Sequence, residues 1–259
     1  MRPIMKAFAI LIVFLAAFSL VSALQDSTAL AAGETGTTDG FTWEIDSGDS
    51  LIITDCSITT GAITIPSTLD LSPYGLSSAK PVIGIAWNIF NGTNITGVTI
   101  PDSVQWIGPS AFANCPLLTT ATLGSGLSSI ASSLFMNSPL TSVNIPNSVT
   151  TIGDSAFKGC DLTSVTIPGS VTSIEASAFE DCTLLQTLNL GSATALESIG
   201  IKAFYNCGLS SLTIPDNVTS IGQLAFADNL SLSTLSLGSG LRSLSGGAFA
   251  YTGFPATLR

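Results

Sequence analysis

Eight phenylalanines recur along the chain at nearly constant spacing, and this period limits the possible fold more than any other feature. The steps between them are 22, 23, 22, 22, 25, 22 and 23 residues, from Phe90 through Phe112, Phe135, Phe157, Phe179, Phe204 and Phe226 to Phe249. A steady period in this range is typical of a solenoid, in which each repeat is one unit stacked on the next. The step of 25 comes from extra residues around Gly191 to Ala195, which we expect to lie in a loop.

One repeat, LTSVTIPGSVTSIEASAF from Leu162 to Phe179, shows the structure that we expect for each unit. Its start, L-x-x-V-x-I, alternates apolar and polar residues and predicts a half-buried strand, which the following Pro or Gly ends. V-T-S-I predicts a second short strand, and G-x-x-A-F predicts a tight turn. Because one unit has too little apolar surface to fold alone, the sequence predicts a mainly β repeat solenoid of about eight stacked repeats, here called rungs.

The pattern L-T-S-V-T-I-P-x-S-V-T-x-I-G-x-x-A-F-x-x-C resembles the leucine-rich repeat of BspA-like surface proteins, from about Ile58 to the end of the chain. Before it lie two segments with the pattern of strands, at residues 41–45 and 50–54. Together they predict a β-hairpin with its turn at Asp46 to Asp49. The resemblance implies that this hairpin caps the N-terminal end of the solenoid. It also implies a secreted or cell-surface protein that binds other macromolecules, in some relatives for adhesion, and it implies no catalysis. We expect no cofactor.

The N-terminal residues are typical of a secretory signal peptide. Arg2 and Lys6 precede an apolar run from Ala7 to Ala23, with cleavage expected after Ala23 or, as a second choice, after Ala31. An uncleaved membrane anchor is the alternative, because 17 residues is the lower limit for spanning a bilayer. We therefore expect a signal peptide at 1–23, a flexible segment at 24–40, the capping hairpin at 41–57 and the solenoid at 58–259. No membrane span is expected in the mature chain.

The charge balance excludes several classes of function. With 7 basic and 17 acidic residues the net charge is −10, and such a surface repels nucleic acid and anionic membranes.

The chain has no histidine, which excludes Ser-His-Asp and Cys-His catalysis and histidine-bound zinc. Glu180 and Asp181 are the only adjacent acidic pair, and Asp181 takes a turn position that Asn and Gly fill in other rungs. An enzyme is therefore the least favoured interpretation.

Four of the five cysteines follow a repeat phenylalanine by three residues: Cys115, Cys160, Cys182 and Cys207, with Cys56 outside this pattern. The same position holds Thr93, Ser138, Asn229 and Thr252 in other rungs. Side chains on consecutive rungs run parallel instead of converging, which would strain a disulfide. We expect buried free thiols, with a disulfide or a thiolate metal site as alternatives.

Two surfaces are candidates for binding. Trp87 and Trp106 occupy outward positions on neighbouring rungs, where an exposed aromatic pair indicates a binding hot spot. The alternative is that the loop from Ser67 to Lys80 covers them at the junction with the cap. The second candidate is the outward column of the first strands, with no charged or aromatic member: Thr99, Thr122, Asn144, Thr166, Asn189 and Thr213. Threonine is also simply a good exposed strand residue, so this column need not bind anything.

These observations leave several functions open. The first is a module at the cell surface, or secreted, that binds an extracellular protein or glycan. The second is a structural or ice-binding role for the Thr-rich strand face.

After Phe249 the chain offers only a short segment that contains Pro255, so the last rung is partly covered. Either the chain is truncated relative to a longer parent, or another copy or a partner covers this end, as in end-to-end self-association.

Overall fold

The structure, a computed structural model, describes residues 32–74 and 79–254. The predicted signal peptide and the segment from Pro255 onwards lie outside the described residues. Strands β1 (Thr35–Thr38), β2 (Phe41–Ile45) and β3 (Leu51–Cys56) form an antiparallel N-terminal cap, and the β2–β3 hairpin confirms the predicted one. The expectation that 24–40 is flexible is wrong for β1, because all four of its residues pair with β2.

The cap passes directly into the solenoid. Strand β4 (Thr60–Thr64), β5 (Thr68–Leu69), a single 3₁₀ turn (Ser72–Tyr74) and β6 (Lys80–Ile85) form an enlarged first rung. Strand β3 pairs in parallel with β6, so the cap sheet and the solenoid share hydrogen bonds. The Tyr74 ring packs edge-on against the fully buried Trp43, with ring centroids 5.1 Å apart, and fastens the first rung to the cap.

Within the described residues, fourteen further strands, two per rung, form seven regular rungs. The first strands of these rungs are β7 (Asn94–Thr99), β9 (Thr120–Thr122), β11 (Ser142–Val143), β13 (Ser164–Thr166), β15 (Thr187–Asn189), β17 (Ser211–Thr213) and β19 (Thr234–Ser236). The second strands are β8 (Trp106–Ile107), β10 (Ser129–Ile130), β12 (Thr151–Ile152), β14 (Ser173–Ile174), β16 (Ser198–Ile199), β18 (Ser220–Ile221) and β20 (Ser243–Leu244). Both strand types are those that the repeat pattern predicts.

The two sides of the solenoid differ in continuity. The second strands form one unbroken parallel sheet from β10 to β20, in which Ser or Thr alternates with Ile or Leu. The first strands, whose outward side is here called the strand face, form three separate sheets: β4-β7-β9-β11, β13-β15 and β17-β19. The strand face is therefore interrupted twice within the described residues.

The eight repeat phenylalanines stack in one continuous column, as their spacing predicts. Consecutive rings from Phe90 to Phe249 are nearly parallel, with centroids 5.0–5.7 Å apart and interplanar angles of 2–17°. The first seven rings are fully buried. Offset stacking of this kind adds to the stabilisation that burial already gives.

The phenylalanine turn holds the rungs together without regular strands. Alternate residues donate backbone hydrogen bonds to the next rung, as in Ser110 N–H to Ser132 O (3.0 Å), with the same pattern at Phe112 and Asn114. The backbone has positive φ two residues before and two residues after each of the eight repeat phenylalanines. The later position carries Asn, Asp or Gly in most rungs, which tolerate this conformation and allowed its prediction. The earlier position was missed, because it also holds Lys202 and Leu224.

Candidate binding surfaces

The strand face presents the predicted column of neutral polar side chains to solvent. Thr99, Thr122, Asn144, Thr166, Asn189 and Thr213 lie on this face, and all six are exposed. The strand register aligns Thr64 with Thr99 and Thr99 with Thr122 in the first sheet, and Thr166 with Asn189 in the second. Successive hydroxyl and amide groups therefore line up along the solenoid within each sheet. Their binding role stays a prediction.

The two interruptions of the strand face weigh against the ice-binding alternative. Such a role needs a flat ladder with constant spacing, and the hydrogen-bonded ladder stops between β11 and β13 and again between β15 and β17. Asn144 and Asn189 further break the run of threonines.

Trp87, just after β6, and Trp106, in β8, lie on neighbouring rungs at the start of the solenoid and are here called the tryptophan patch. The Trp87 side chain is 69% exposed and the Trp106 side chain 38% exposed. Strand pairing places Gly84 directly opposite Trp106, and a Cβ at Gly84 would overlap ring atoms Cε2 and Cζ2 of that indole. The later rungs carry Ser or Thr at the position of Gly84. The missing side chain thus lets the indole of Trp106 lie flat on the rung below.

The described part of the loop between β5 and β6 does not cover this patch. Its Tyr74 packs on Trp43, and the Tyr74 hydroxyl bonds to the backbone of Thr37, both in the cap. The expectation that Ser67 to Lys80 covers the exposed tryptophans is therefore not met by its described residues.

Glu180 and Asp181 do not form a catalytic carboxylate pair. The buried Glu180 carboxylate accepts a hydrogen bond from Lys158 Nζ (2.9 Å), and Lys202 Nζ lies 3.8 Å away on its other side. Burial raises the pKa of the Glu180 carboxyl, but the hydrogen bonds from Lys158 and Ser177 and the two lysine charges outweigh it, so the pKa is lowered. Glu180 thus links three rungs as an ionised, fully paired group.

The five cysteines are free and buried, as the repeat argument predicts. Cys115, Cys160, Cys182 and Cys207 each donate a hydrogen bond to the carbonyl oxygen of a phenylalanine one rung earlier, over 3.0–3.3 Å. Ser138 does the same with its hydroxyl, at 2.8 Å from Phe112 O. Burial raises the pKa of these thiols, that of Cys182 to about 12. They are structural side chains, and residues 32–74 and 79–254 contain no group of His, Cys, Asp or Glu arranged to hold a metal.

A groove in the strand face was not predicted from the sequence. It lies at the interruption between β15 and β17 and has a volume of about 360 Å³. Asn189 and Thr213, both in the predicted column, line it together with Thr187 and Ser211. The only sequence signal for it was the step of 25 residues, since the extra residues after Leu190 widen the adjoining turn.

Comparison with protein families identifies the repeat. The sequence pattern of a family described as the BspA type leucine-rich repeat region, present in 6 copies, matches residues 76–163 and 150–255. The chain belongs to this family. The match confirms the resemblance that the repeat pattern indicated, and the family is a repeat scaffold and not a known enzyme family. A comparison with curated proteins found no match.

Several solved bacterial proteins are similar to this BspA-type chain. A leucine-rich repeat protein from Bacteroides ovatus is 26% identical with a TM-score of 0.69, over 88% of this chain and 59% of that one. A leucine rich cell surface protein from Faecalibacterium prausnitzii is 25% identical with a TM-score of 0.62, over 80% of this chain and 55% of that one. A leucine-rich repeat protein from T. pallidum, 24% identical, has the same fold over 82% of this chain and 92% of its own, with a TM-score of 0.56. The chain thus spans less than two thirds of the first two proteins. No helix in the described part of the chain is long and apolar enough to cross a membrane.

Proposed function

We propose that this chain is a secreted or cell-surface module without catalytic activity that binds an extracellular protein, with adhesion as its biological role. Three observations support the location: the predicted signal peptide, the membership of the BspA-type family and the similarity to a bacterial cell surface protein. A stacked scaffold with fixed rungs suits binding, because its exposed groups are held in place before a partner arrives.

The observation that carries the proposal is the exposure of Trp87 beside Trp106. Water contact with so much indole surface is unfavourable, and large aromatic side chains that stay exposed are enriched at the centres of protein interfaces. Gly84, under the Trp106 ring, gives this patch a flat and rigid base. The third tryptophan, Trp43, serves the core instead, fully buried and with its Nε1–H donated to Thr38 (3.2 Å).

The test is a binding screen of the full chain against an array of purified extracellular proteins and glycans. The double variant Trp87→Ser/Trp106→Ser should weaken the bound partner at least tenfold, as expected for a pair of hot-spot residues. Ile201→Ser is the matched control, because Ile201 occupies the Trp87 position on a later rung and is 53% exposed. A partner that binds the double variant and the parent equally would exclude the tryptophan patch as its binding site. A screen in which only glycans bind would show that the partner is a glycan and not a protein.

A further inference from the structure

The interruption between β15 and β17 leaves a small cleft in an otherwise stacked surface. Here called the strand-gap groove, it is lined by side chains and backbone of Thr187, Asn189, Gly191, Ser211, Thr213 and Pro215. Its volume of about 360 Å³ lies at the lower end of the ~300–1,000 Å³ typical of small-molecule sites. Leu188 and Leu190 also line it, both largely buried, and they supply its apolar floor.

Backbone donors are unpaired in this groove. In the intact neighbouring pairs, the residue after the first strand donates to the next rung, as in Ile167 N–H to Asn189 O (3.0 Å) and Ile214 N–H to Ser236 O (2.8 Å). The equivalent donor here is the N–H of Leu190, and within the described residues it has no hydrogen-bond partner. On the preceding rung, the Thr187 N–H donates a hydrogen bond back to Thr163 O. Ser211 is the equivalent residue on the next rung, and its N–H makes no such bond in the described part of the chain. Because Leu190 is only 2% exposed, its donor must be satisfied by water or by a ligand oxygen.

The groove is held open by its surroundings. Leu190 and Leu196 are six residues apart where Ile167 and Val171 are four apart, so the turn beside β15 is wider than its neighbour. This wide turn is anchored on both sides, by Ser192 Oγ–H to Ile167 O (2.9 Å) and by Asn217 Nδ2–H to Ala193 O (2.9 Å). A ligand would therefore meet a shaped site and would not have to order a loop.

The lining selects the class of ligand. It contains hydroxyl, amide and backbone groups over an apolar floor, and none of its residues is charged. A charged ligand would lose hydration and gain no ion pair. An extended peptide would need a free strand edge to pair along, whereas this cleft is short and lies between strands already paired on their outer sides. A sugar ring fits both features, since its C–H faces are apolar and its rim carries hydroxyl groups that accept and donate hydrogen bonds.

We propose that the strand-gap groove binds one neutral sugar unit of a glycan, with hydroxyl oxygens accepting hydrogen bonds from the N–H groups of Leu190 and Ser211. Asn189 and Thr213 add side-chain contacts at the rim. This inference rests on the proposed binding function and adds to it a second, glycan-specific site away from the tryptophan patch.

The test follows backbone amide signals of the full chain by NMR while neutral trisaccharides are added: chitotriose, maltotriose, mannotriose and galactotriose, with sialyllactose as an acidic comparison. At least one neutral trisaccharide should shift the amides of Leu190 and Ser211 in a saturable manner. Thr213→Trp should fill the groove and weaken this binding at least tenfold. Thr122→Trp is the matched control, because Thr122 has the same column position on β9, a strand that is paired with both neighbouring rungs, and it should bind like the parent.

Three outcomes would overturn the inference: no neutral trisaccharide shifts either amide, only sialyllactose does, or Thr213→Trp and Thr122→Trp weaken binding equally. Each is separate from the test of the tryptophan patch. If Trp87→Ser/Trp106→Ser loses its partner and no trisaccharide shifts the Leu190 amide, the proposed function stands and only the groove is rejected. If a trisaccharide binds and the tryptophan variant binds its partner like the parent, the groove stands and the tryptophan patch is rejected.

Discussion

The thiol of Cys182 donates a hydrogen bond to the carbonyl oxygen of Phe157, 3.1 Å away and one rung earlier in the solenoid. The bond joins the two most regular features of the sequence, the phenylalanine column and the position three residues after it. A thiol is a weak donor, and the Phe157 carbonyl also accepts the Cys160 N–H of its own rung (3.1 Å), so the thiol adds a bond between rungs to a carbonyl that is already paired. The cysteines therefore stabilise the stacking of rungs, and neither reactivity nor metal binding is needed to explain them.

We predict that Cys160, Cys182 and Cys207 are inert in the native state. Only the thiolate reacts, and burial raises the pKa of all three thiols. Titration with an aromatic disulfide reagent at pH 8 should modify these thiols slowly in the native protein and completely after denaturation. Mass spectrometry of the unreduced protein provides the control, and a disulfide between any two of them would contradict the parallel arrangement.

The same thiols should make the fold sensitive to alkali. A thiol whose pKa is raised on folding favours the native state below its unfolded value of about 9, and this contribution is lost as the pH rises towards the folded value, about 12 for Cys182. Over that interval stability should fall by about 1.4 kcal/mol per pH unit for each such thiol. The variant Cys160→Ser/Cys182→Ser/Cys207→Ser, which introduces the hydroxyl that Ser138 already provides in its own rung, should show a flatter profile in urea unfolding between pH 8 and 11. Equal slopes for variant and parent would mean that the thiols do not control this loss.

The phenylalanine column and the strands could be predicted because each depends on residue type at a fixed spacing. Burial of Phe157 or Val165 follows from apolarity and period alone. Other features depend on the relative position of two rungs, which a single repeat does not encode. The space that Gly84 leaves for Trp106 and the unpaired N–H of Leu190 arise from the register between neighbours. Backbone strain was equally hidden, because Lys202 adopts positive φ where its N–H donates to Gln223 O on the next rung (2.9 Å) and not from its own preference.

Truncation of a central phenylalanine should be severely destabilising. Phe157 is fully buried between Phe135 and Phe179, with ring centroids 5.7 and 5.1 Å away. Phe157→Ala should lower the free energy of unfolding by about 3–5 kcal/mol, since neighbouring rings in a stacked column cannot collapse into the cavity. Chemical denaturation measures the effect, and Ile201→Ala, at an exposed position, should change stability little. A Phe157→Ala protein as stable as its parent would refute the stacked core.

Removal of the Glu180 charge should weaken the fold at neutral pH and reduce its acid sensitivity. Because the pKa of Glu180 is lowered on folding, its contribution is present above the unfolded value of about 4.5 and is lost as the pH falls through the folded value. Glu180→Gln should cost about 1–3 kcal/mol at pH 7, because Lys158 loses a charged partner. The difference from the parent should shrink as the pH falls below about 4. Glu197→Gln, at an exposed site, is the control and should change neither the free energy of unfolding at pH 7 nor its decrease in acid appreciably.

The tight turns of the solenoid provide a last test, at Gly124. A Cβ on this residue would collide with the backbone carbonyl of Pro101 on the preceding rung, where the stacking is so close that the Asp102 carboxylate accepts the Ser125 N–H at 2.7 Å. Backbone atoms cannot move aside as a flexible side chain could, so Gly124→Ala should destabilise the protein by about 1–3 kcal/mol. Gly246→Ala is the matched control, because a Cβ there would meet no atom within 4 Å and its φ is not positive. That variant should be neutral or stabilising by about 0.4–1 kcal/mol through reduced freedom of the unfolded chain. Equal thermal unfolding midpoints for the two variants would show that the rungs are not stacked as closely as this contact requires.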